Sequence, residues 1–161
     1  MSVLDERTLV EPYDALAEQL RGLLEGERNV IANLANCSAL LNEVLEDINW
    51  VGFYLRREEE LILGPFQGRV ACIHIPLGQG VCGTAAAEDE IQLVADVHRF
   101  PGHIACDGTS NSEIVLPLHY GGKVAAVLDI DSPTPGRFLP SDRDGLAYCV
   151  RLIESACDWE S

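Results

Sequence analysis

The chain has 161 residues, 47% of them hydrophobic, which suits one domain with its own core and excludes disorder throughout. Its formal net charge of -15 gives a surface that repels nucleic acid and anionic membranes, and Lys123 is its single lysine. Met1-Ser2-Val3-Leu4-Asp5-Glu6 holds no basic region leading into an apolar run, and no apolar stretch approaches the roughly 18 residues that span a bilayer, so a cytoplasmic location is expected.

Pro12 to Leu24 carries apolar residues at Tyr13, Leu16, Ala17, Leu20 and Leu24, a helical stripe. Asn29 suits the N-cap of a second helix. Its stripe runs through Val30, Ile31, Leu34, Leu41, Val44 and Leu45, and Cys37 falls on it as a buried, inert thiol. From Asn49 the period changes. Trp50 to Leu55 reads as a strand, Glu60 to Phe66 as its hairpin partner, and Arg56 to Glu59 as the turn between them. Ala71 to Ile75 is a third short strand ended by Pro76. Gly80 to Glu88 is an alanine-rich helix, and Ile91 to Val94 is a strand followed by a loop from Asp96 to Ser112. Glu113 to His119 and Lys123 to Asp131 form a hairpin through Gly121-Gly122. Ser141 caps a last helix with Leu146, Cys149, Val150, Ile153 and Cys157 on one face, so Cys149 and Cys157 join Cys37 as core residues.

The order predicts a single α+β domain over residues 1–161. Its mostly antiparallel central sheet and loops (about 49–138) are packed by helices at about 13–45 and 141–157. Gly78-Gln79-Gly80-Val81-Cys82-Gly83 matches a dinucleotide-binding fingerprint, with Asp96 lying 18 residues after Gly78. The helix after it is too short for a crossover, and the chain beyond is hairpin-like rather than βαβ. What survives is a glycine-rich entry to a helix N-terminus, whose free N–H groups suit an anion such as a carboxylate.

Cys72, Cys82 and Cys106 lie off the helical stripes: Cys72 on a short strand, Cys82 at a helix start, Cys106 in a loop. The helix dipole should lower the pKa of Cys82, and loop placement makes Cys106 the most accessible. They could equally be unrelated thiols. His74, His98 and His103 offer metal partners, but the spacings fit no zinc pattern and no metal is expected. Asp129 and Asp131 are two apart on an apolar strand and so share a face, while Glu113 opens the strand paired with theirs. Three converging carboxylates repel one another, which raises at least one pKa and leaves an acid able to give a proton near neutral pH. The bland alternative is that both aspartates face solvent. Trp50 and Tyr54 stand four apart, with Gly52 between them leaving room for a ligand, or else they are plain core.

These residues belong to longer runs. Gly64-Pro65-Phe66-Gln67-Gly68, Ala71-Cys72, Pro76 to Ala86, Asp96-Val97-His98, Phe100 to Cys106, Ser112 to Val115 and Val127 to Pro133 together resemble the free methionine-(R)-sulfoxide reductases, a GAF-domain family turned to catalysis. The resemblance covers Trp50 to about Phe138. It implies catalytic roles for Cys72, Cys82, Cys106 and Asp131, and a substrate pocket of Trp50, Tyr54, Glu113, Asp129 and Asp131.

Its implied chemistry is reduction of free L-methionine-(R)-sulfoxide. A thiolate attacks sulfur, a carboxylic acid protonates oxygen, and the resulting sulfenic acid condenses with a second cysteine to a disulfide. Thioredoxin then restores the thiols, so NADPH enters only indirectly and no cofactor is bound. We assign the nucleophile to Cys106, the loop cysteine of the run Phe100 to Cys106, and the recycling disulfide to Cys72, with Cys82 able to share that role. The resemblance also implies a homodimer. The rival is a GAF module that senses a small molecule or redox state without turnover.

Overall fold

The computed structural model of the protein describes residues 5–103 and 108–160. In chain order its elements are α1 (Tyr13–Leu24), α2 (Val30–Val44), β1 (Trp50–Arg57), β2 (Glu60–Gly68), β3 (His74–Pro76), α3 (Gly80–Glu88), β4 (Gln92–Val94), β5 (Ser112–Tyr120), β6 (Lys123–Ser132) and α4 (Pro140–Ala156). The six strands form one sheet in the order β3-β2-β1-β6-β5-β4, with every neighbouring pair antiparallel. This is the expected α+β arrangement.

Strand parity divides the molecule into two layers. Val51, Phe53 and Leu55 of β1, Ile114, Leu116 and Leu118 of β5, and Ala126, Leu128 and Ile130 of β6 face α1, α2 and α4. Leu16, Leu20, Leu34, Leu41, Leu146 and Ile153 meet them there with no exposed surface. Each such side chain stabilises the fold by about 1.5–3 kcal/mol relative to exposure. Cys37, Cys149 and Cys157 are buried in this same layer, and burial pushes the Cys37 and Cys149 thiols up to about 12. The alternate residues, among them Trp50, Tyr54, Val115, Val124 and Val127, face α3 and the loops.

Local chemistry explains most element ends. Asn29 accepts a hydrogen bond from the Ala32 N–H at 2.9 Å and caps α2 as expected. Gly121 and Gly122 both take positive φ, 61° and 77°, as a two-residue hairpin turn requires.

Five local expectations are corrected. The β1–β2 turn is the two residues Glu58-Glu59, not four, because Arg57 still pairs with Glu60 and Glu58 adopts φ 57°. Ile31 is 54% exposed at the edge of the α2 stripe. Gly52 leaves no room for a ligand, since a Cβ there would lie 2.3 Å from that of Phe66 across the ladder. The third strand starts at His74, and Cys72 precedes it. The carbonyls of Arg69 and Cys72 are taken instead by the Trp50 indole N–H and the Tyr54 hydroxyl, each at 3.1 Å. Ser141 is not the cap of α4. Leu139 holds that position, and its N–H donates to Asp142 Oδ2 at 2.8 Å.

The other oxygen of Asp142 receives the Tyr13 hydroxyl at 2.6 Å, which ties α1 to the start of α4. Tyr13 lies flat against Gly145, where a Cβ would stand 2.2 Å from the ring. Gly145→Ala is therefore expected to destabilise the fold by about 1–3 kcal/mol, read as a lower urea midpoint at unchanged slope. An unchanged midpoint would contradict this packing.

Candidate active site

The register of three adjacent strands assembles the site. Trp50 on β1 stands opposite Asp131 on β6, which stands opposite Glu113 on β5. Gly52, Asp129 and Val115 form the next row on the same face. Side chains opposite each other across a ladder have Cβ atoms about 4.5–5.5 Å apart, so the three carboxylates necessarily converge. They do so away from water: Glu113, Asp129 and Asp131 are each buried, on the α3 side of the sheet.

Burial there dominates their electrostatics. Glu113 is held well above the usual carboxylate range by desolvation first and by the charge of Asp129 second. Asp129 is raised in the same way by burial and by Asp131. The trio thus keeps a proton at a pH where an exposed carboxyl has lost it.

The aromatic wall is built on the same face. Trp50 stacks on Tyr54 with ring centroids 5.9 Å apart and on Phe66 at 5.2 Å. Gly68 makes this possible, because a Cβ there would fall 2.5 Å from the Trp50 ring.

The opposite wall is the start of α3. Gln79, its N-cap, makes no side-chain capping bond, and Gly80 and Val81, whose N–H groups lie in the first turn without an intrahelical partner, line the pocket. The glycines of the fingerprint have local duties: Gly78 and Gly80 take φ 85° and 65°, and Gly83 lets α3 approach the Pro76 carbonyl. The motif is a tight helix entry at the pocket wall.

Cys82 on α3 comes within 4.0 Å of Glu113 Oε2. Its thiol is pushed well above the usual cysteine range by burial, then by Asp129, Glu113 and Asp131. This reverses the expected lowering by the helix dipole. A dipole of about half a charge at the helix end cannot offset desolvation together with three acidic neighbours. Cys82, Glu113 and Asp129 place their ligand atoms within 4.8 Å of one another and, among the described residues, are the group that could hold a cation. The histidines weighed as metal partners do not join it.

These groups line one pocket enclosing about 520 Å³ of atom-free space, part of it open to solvent. Trp50, Tyr54, Cys82, Glu113, Asp129 and Asp131 all reach it. Cys72 adjoins it, next to the lining residue Ala71 and fixed through its carbonyl to Tyr54, and it carries a disulfide bond. Cys106 lies outside the described residues.

His103 and Ser110, of the segment between β4 and β5, also reach the pocket. The loop ends are tied together by Val97 N–H to the Asn111 carbonyl, 2.9 Å, and Asn111 N–H to the Ser132 carbonyl, 2.8 Å. His103 packs edge-on to His98, whose ring meets Asn111 Oδ1 at 3.0 Å. His103 is in the pocket wall rather than among metal partners, and Ser110 carries no signal in the sequence, because a loop has no period that marks its inward side chains.

The pocket therefore offers a buried acidic floor that holds a proton, a stacked aromatic wall and a row of backbone N–H donors. That set matches a small zwitterion: carboxylates for an ammonium, N–H groups for a carboxylate, rings for an apolar end.

The GAF domain family model matches residues 8–157. The free methionine-R-sulfoxide reductase of Escherichia coli (strain K12) is 54% identical over 144 residues, covering 89% of this chain and 87% of that protein. The fRMsr of Staphylococcus aureus in complex with substrate is 50% identical and superimposes with a TM-score of 0.87 over 96% of this chain and 99% of that one. The free methionine-R-sulfoxide reductase from Neisseria meningitidis in complex with its substrate is 40% identical, with a TM-score of 0.87 over 97% and 92%.

Proposed function

The chain belongs to the GAF domain family and within it to the free methionine-R-sulfoxide reductases, and from that membership we propose that it reduces free L-methionine-(R)-sulfoxide through a cysteine sulfenic acid and a disulfide recycled by thioredoxin. The observation that carries this reading is the meeting of Trp50, Tyr54, Cys82, Glu113, Asp129 and Asp131 in one pocket.

In the proposed cycle the Cys106 thiolate attacks the sulfoxide sulfur while the carboxylate cluster, with Asp131 in front, gives its proton to the oxygen. The hydroxyl then passes to the Cys106 sulfur as the substrate S–O bond and the new S–S bond break, so methionine leaves and Cys106 becomes a sulfenic acid. The Cys72 thiol displaces that oxygen as water and forms the disulfide. A protein dithiol then reduces the disulfide, so the net reaction consumes two electrons and two protons and returns water. The disulfide at Cys72 supports its place in this cycle. Such an enzyme works where dithiol reductants are kept reduced, and we place it in the cytoplasm.

Substrate choice follows from the polar groups. Glu113 and Asp129 would receive the ammonium, the N–H groups at Gly80 and Val81 the carboxylate, and Trp50 and Tyr54 the methyl end. A site built for polar partners rejects analogues lacking them by about 10⁴–10⁵-fold, because its own groups are left unpaired. With dithiothreitol as reductant, kcat/KM is expected to be high for the free R epimer and lower by orders of magnitude for N-acetylmethionine sulfoxide and for the S epimer. Turnover of the free R epimer no faster than in buffer would remove the enzymatic reading in favour of a sensing module. Equal values for free and acetylated substrate would remove the zwitterion site.

A further inference from the structure

Val70 and Ile73 straddle Cys72 and are 89% and 58% exposed, although both are large aliphatic residues. Their exposure does not come from a loose segment. The backbone beneath them is pinned at three points: the Arg69 carbonyl by Trp50 Nε1 and the Cys72 carbonyl by the Tyr54 hydroxyl, both at 3.1 Å, and the Ile73 carbonyl by the Leu63 N–H at 2.9 Å. The sheet thus holds two apolar side chains out to solvent on either side of a disulfide-bonded cysteine. The charge around them is equally particular. In a chain with 26 acidic residues, none falls between Glu60 and Glu88 in sequence, while Arg69 and His74 flank the pair on the surface, His74 with its ring 3.2 Å from Glu60 Oε1.

We propose that Val70 and Ile73 form the docking surface for the protein dithiol that reduces the Cys72 disulfide. The proposal rests on the reductase cycle above and adds to it the place where the reductant binds.

The geometry of the exchange demands contact there. The two sulfurs of a disulfide are about 2 Å apart, so a thiolate that attacks either of them brings its carrier to within a few ångströms of Cys72. A protein approaching that closely covers the residues on both sides of it. Its thiolate attacks one sulfur, the S–S bond breaks, and the departing sulfur takes a proton. The carrier's second thiol then displaces the mixed disulfide, so this chain gains two thiols and the carrier keeps the new disulfide. Covering Val70 and Ile73 removes apolar surface from water, which favours the docked state. Dithiothreitol performs the same exchange with no surface to dock.

The test is the double variant Val70→Ser/Ile73→Ser, assayed with free methionine sulfoxide and either thioredoxin or dithiothreitol as reductant, with size-exclusion chromatography alongside. We expect kcat/KM for thioredoxin to fall roughly tenfold or more, with dithiothreitol-driven turnover and elution volume unchanged. An unaltered thioredoxin dependence overturns the docking surface, as does an equal loss with both reductants. A loss that accompanies dissociation of a dimer overturns it too and assigns the patch to a second copy of the chain. Failure of the parent protein to turn over with dithiothreitol would strike the reductase reading itself, a separate outcome.

Discussion

Replacing Cys106 by serine is expected to abolish methionine release even in a single turnover. The described thiols are poor candidates for the attacking group. Cys37 and Cys149 lie in the apolar layer beneath the sheet, where burial pushes them up to about 12, and Cys157 is raised by the same cause. Cys82 reaches the pocket, but burial and acidic neighbours keep it a thiol at neutral pH. The thiolate is the nucleophile, so these environments disqualify all four. Cys72 adjoins the pocket and carries the disulfide, which suits it to the recycling step. Cys72→Ser should then release a single stoichiometric burst of methionine and stop, because the sulfenic acid forms but has no partner for recycling. Cys37→Ser, Cys149→Ser and Cys157→Ser should affect stability alone. Rapid-quench measurement of methionine with the reduced protein separates these outcomes. A full burst from Cys106→Ser would move the attack to another cysteine.

Asp131→Asn is expected to slow the chemical step by about 10²–10⁴-fold, the usual range for loss of a general acid, while substrate affinity changes less. The sulfoxide oxygen leaves only if it is protonated, and an amide cannot supply that proton. The supply is explained by the cluster: Glu113 and Asp129 are both raised by burial and by their neighbours, so a proton is retained among the three carboxylates. The sign of the pH dependence follows. A donor must be protonated to act, so the single-turnover rate should fall as pH rises through the raised pKa of the cluster. That descending limb belongs to the cluster as a unit rather than to one residue. Asp131→Asn should lose the limb together with the rate. A variant that binds poorly but reacts normally once saturated would instead make Asp131 a holder of the ammonium group.

Much of this was legible in the linear pattern, because strand and helix periods decide which side chains share a face. The spacing of Leu34, Cys37 and Leu41 put Cys37 in the core, and Gly121-Gly122 marked the hairpin that brings β5 beside β6. The two-residue step from Asp129 to Asp131 placed both on one face, and the apolar run before them marked the strand as buried. What the pattern could not contain was each side chain's neighbourhood across strands. The row Trp50–Asp131–Glu113 exists through register, which depends on long-range pairing. Register also gives Gly52 to Phe66 instead of to a ligand. The sign of the Cys82 shift was decided the same way. A helix start taken alone predicts a lowered thiol, whereas the tertiary structure buries that thiol against three carboxylates, and desolvation with like-charge repulsion outweighs the dipole. Cys72 lies outside the ladder, in a segment whose carbonyls accept from two buried aromatic side chains. Local sequence sets which way a residue faces; packing sets what it meets there, and with it the pKa, the free hydrogen-bonding groups and the chemistry.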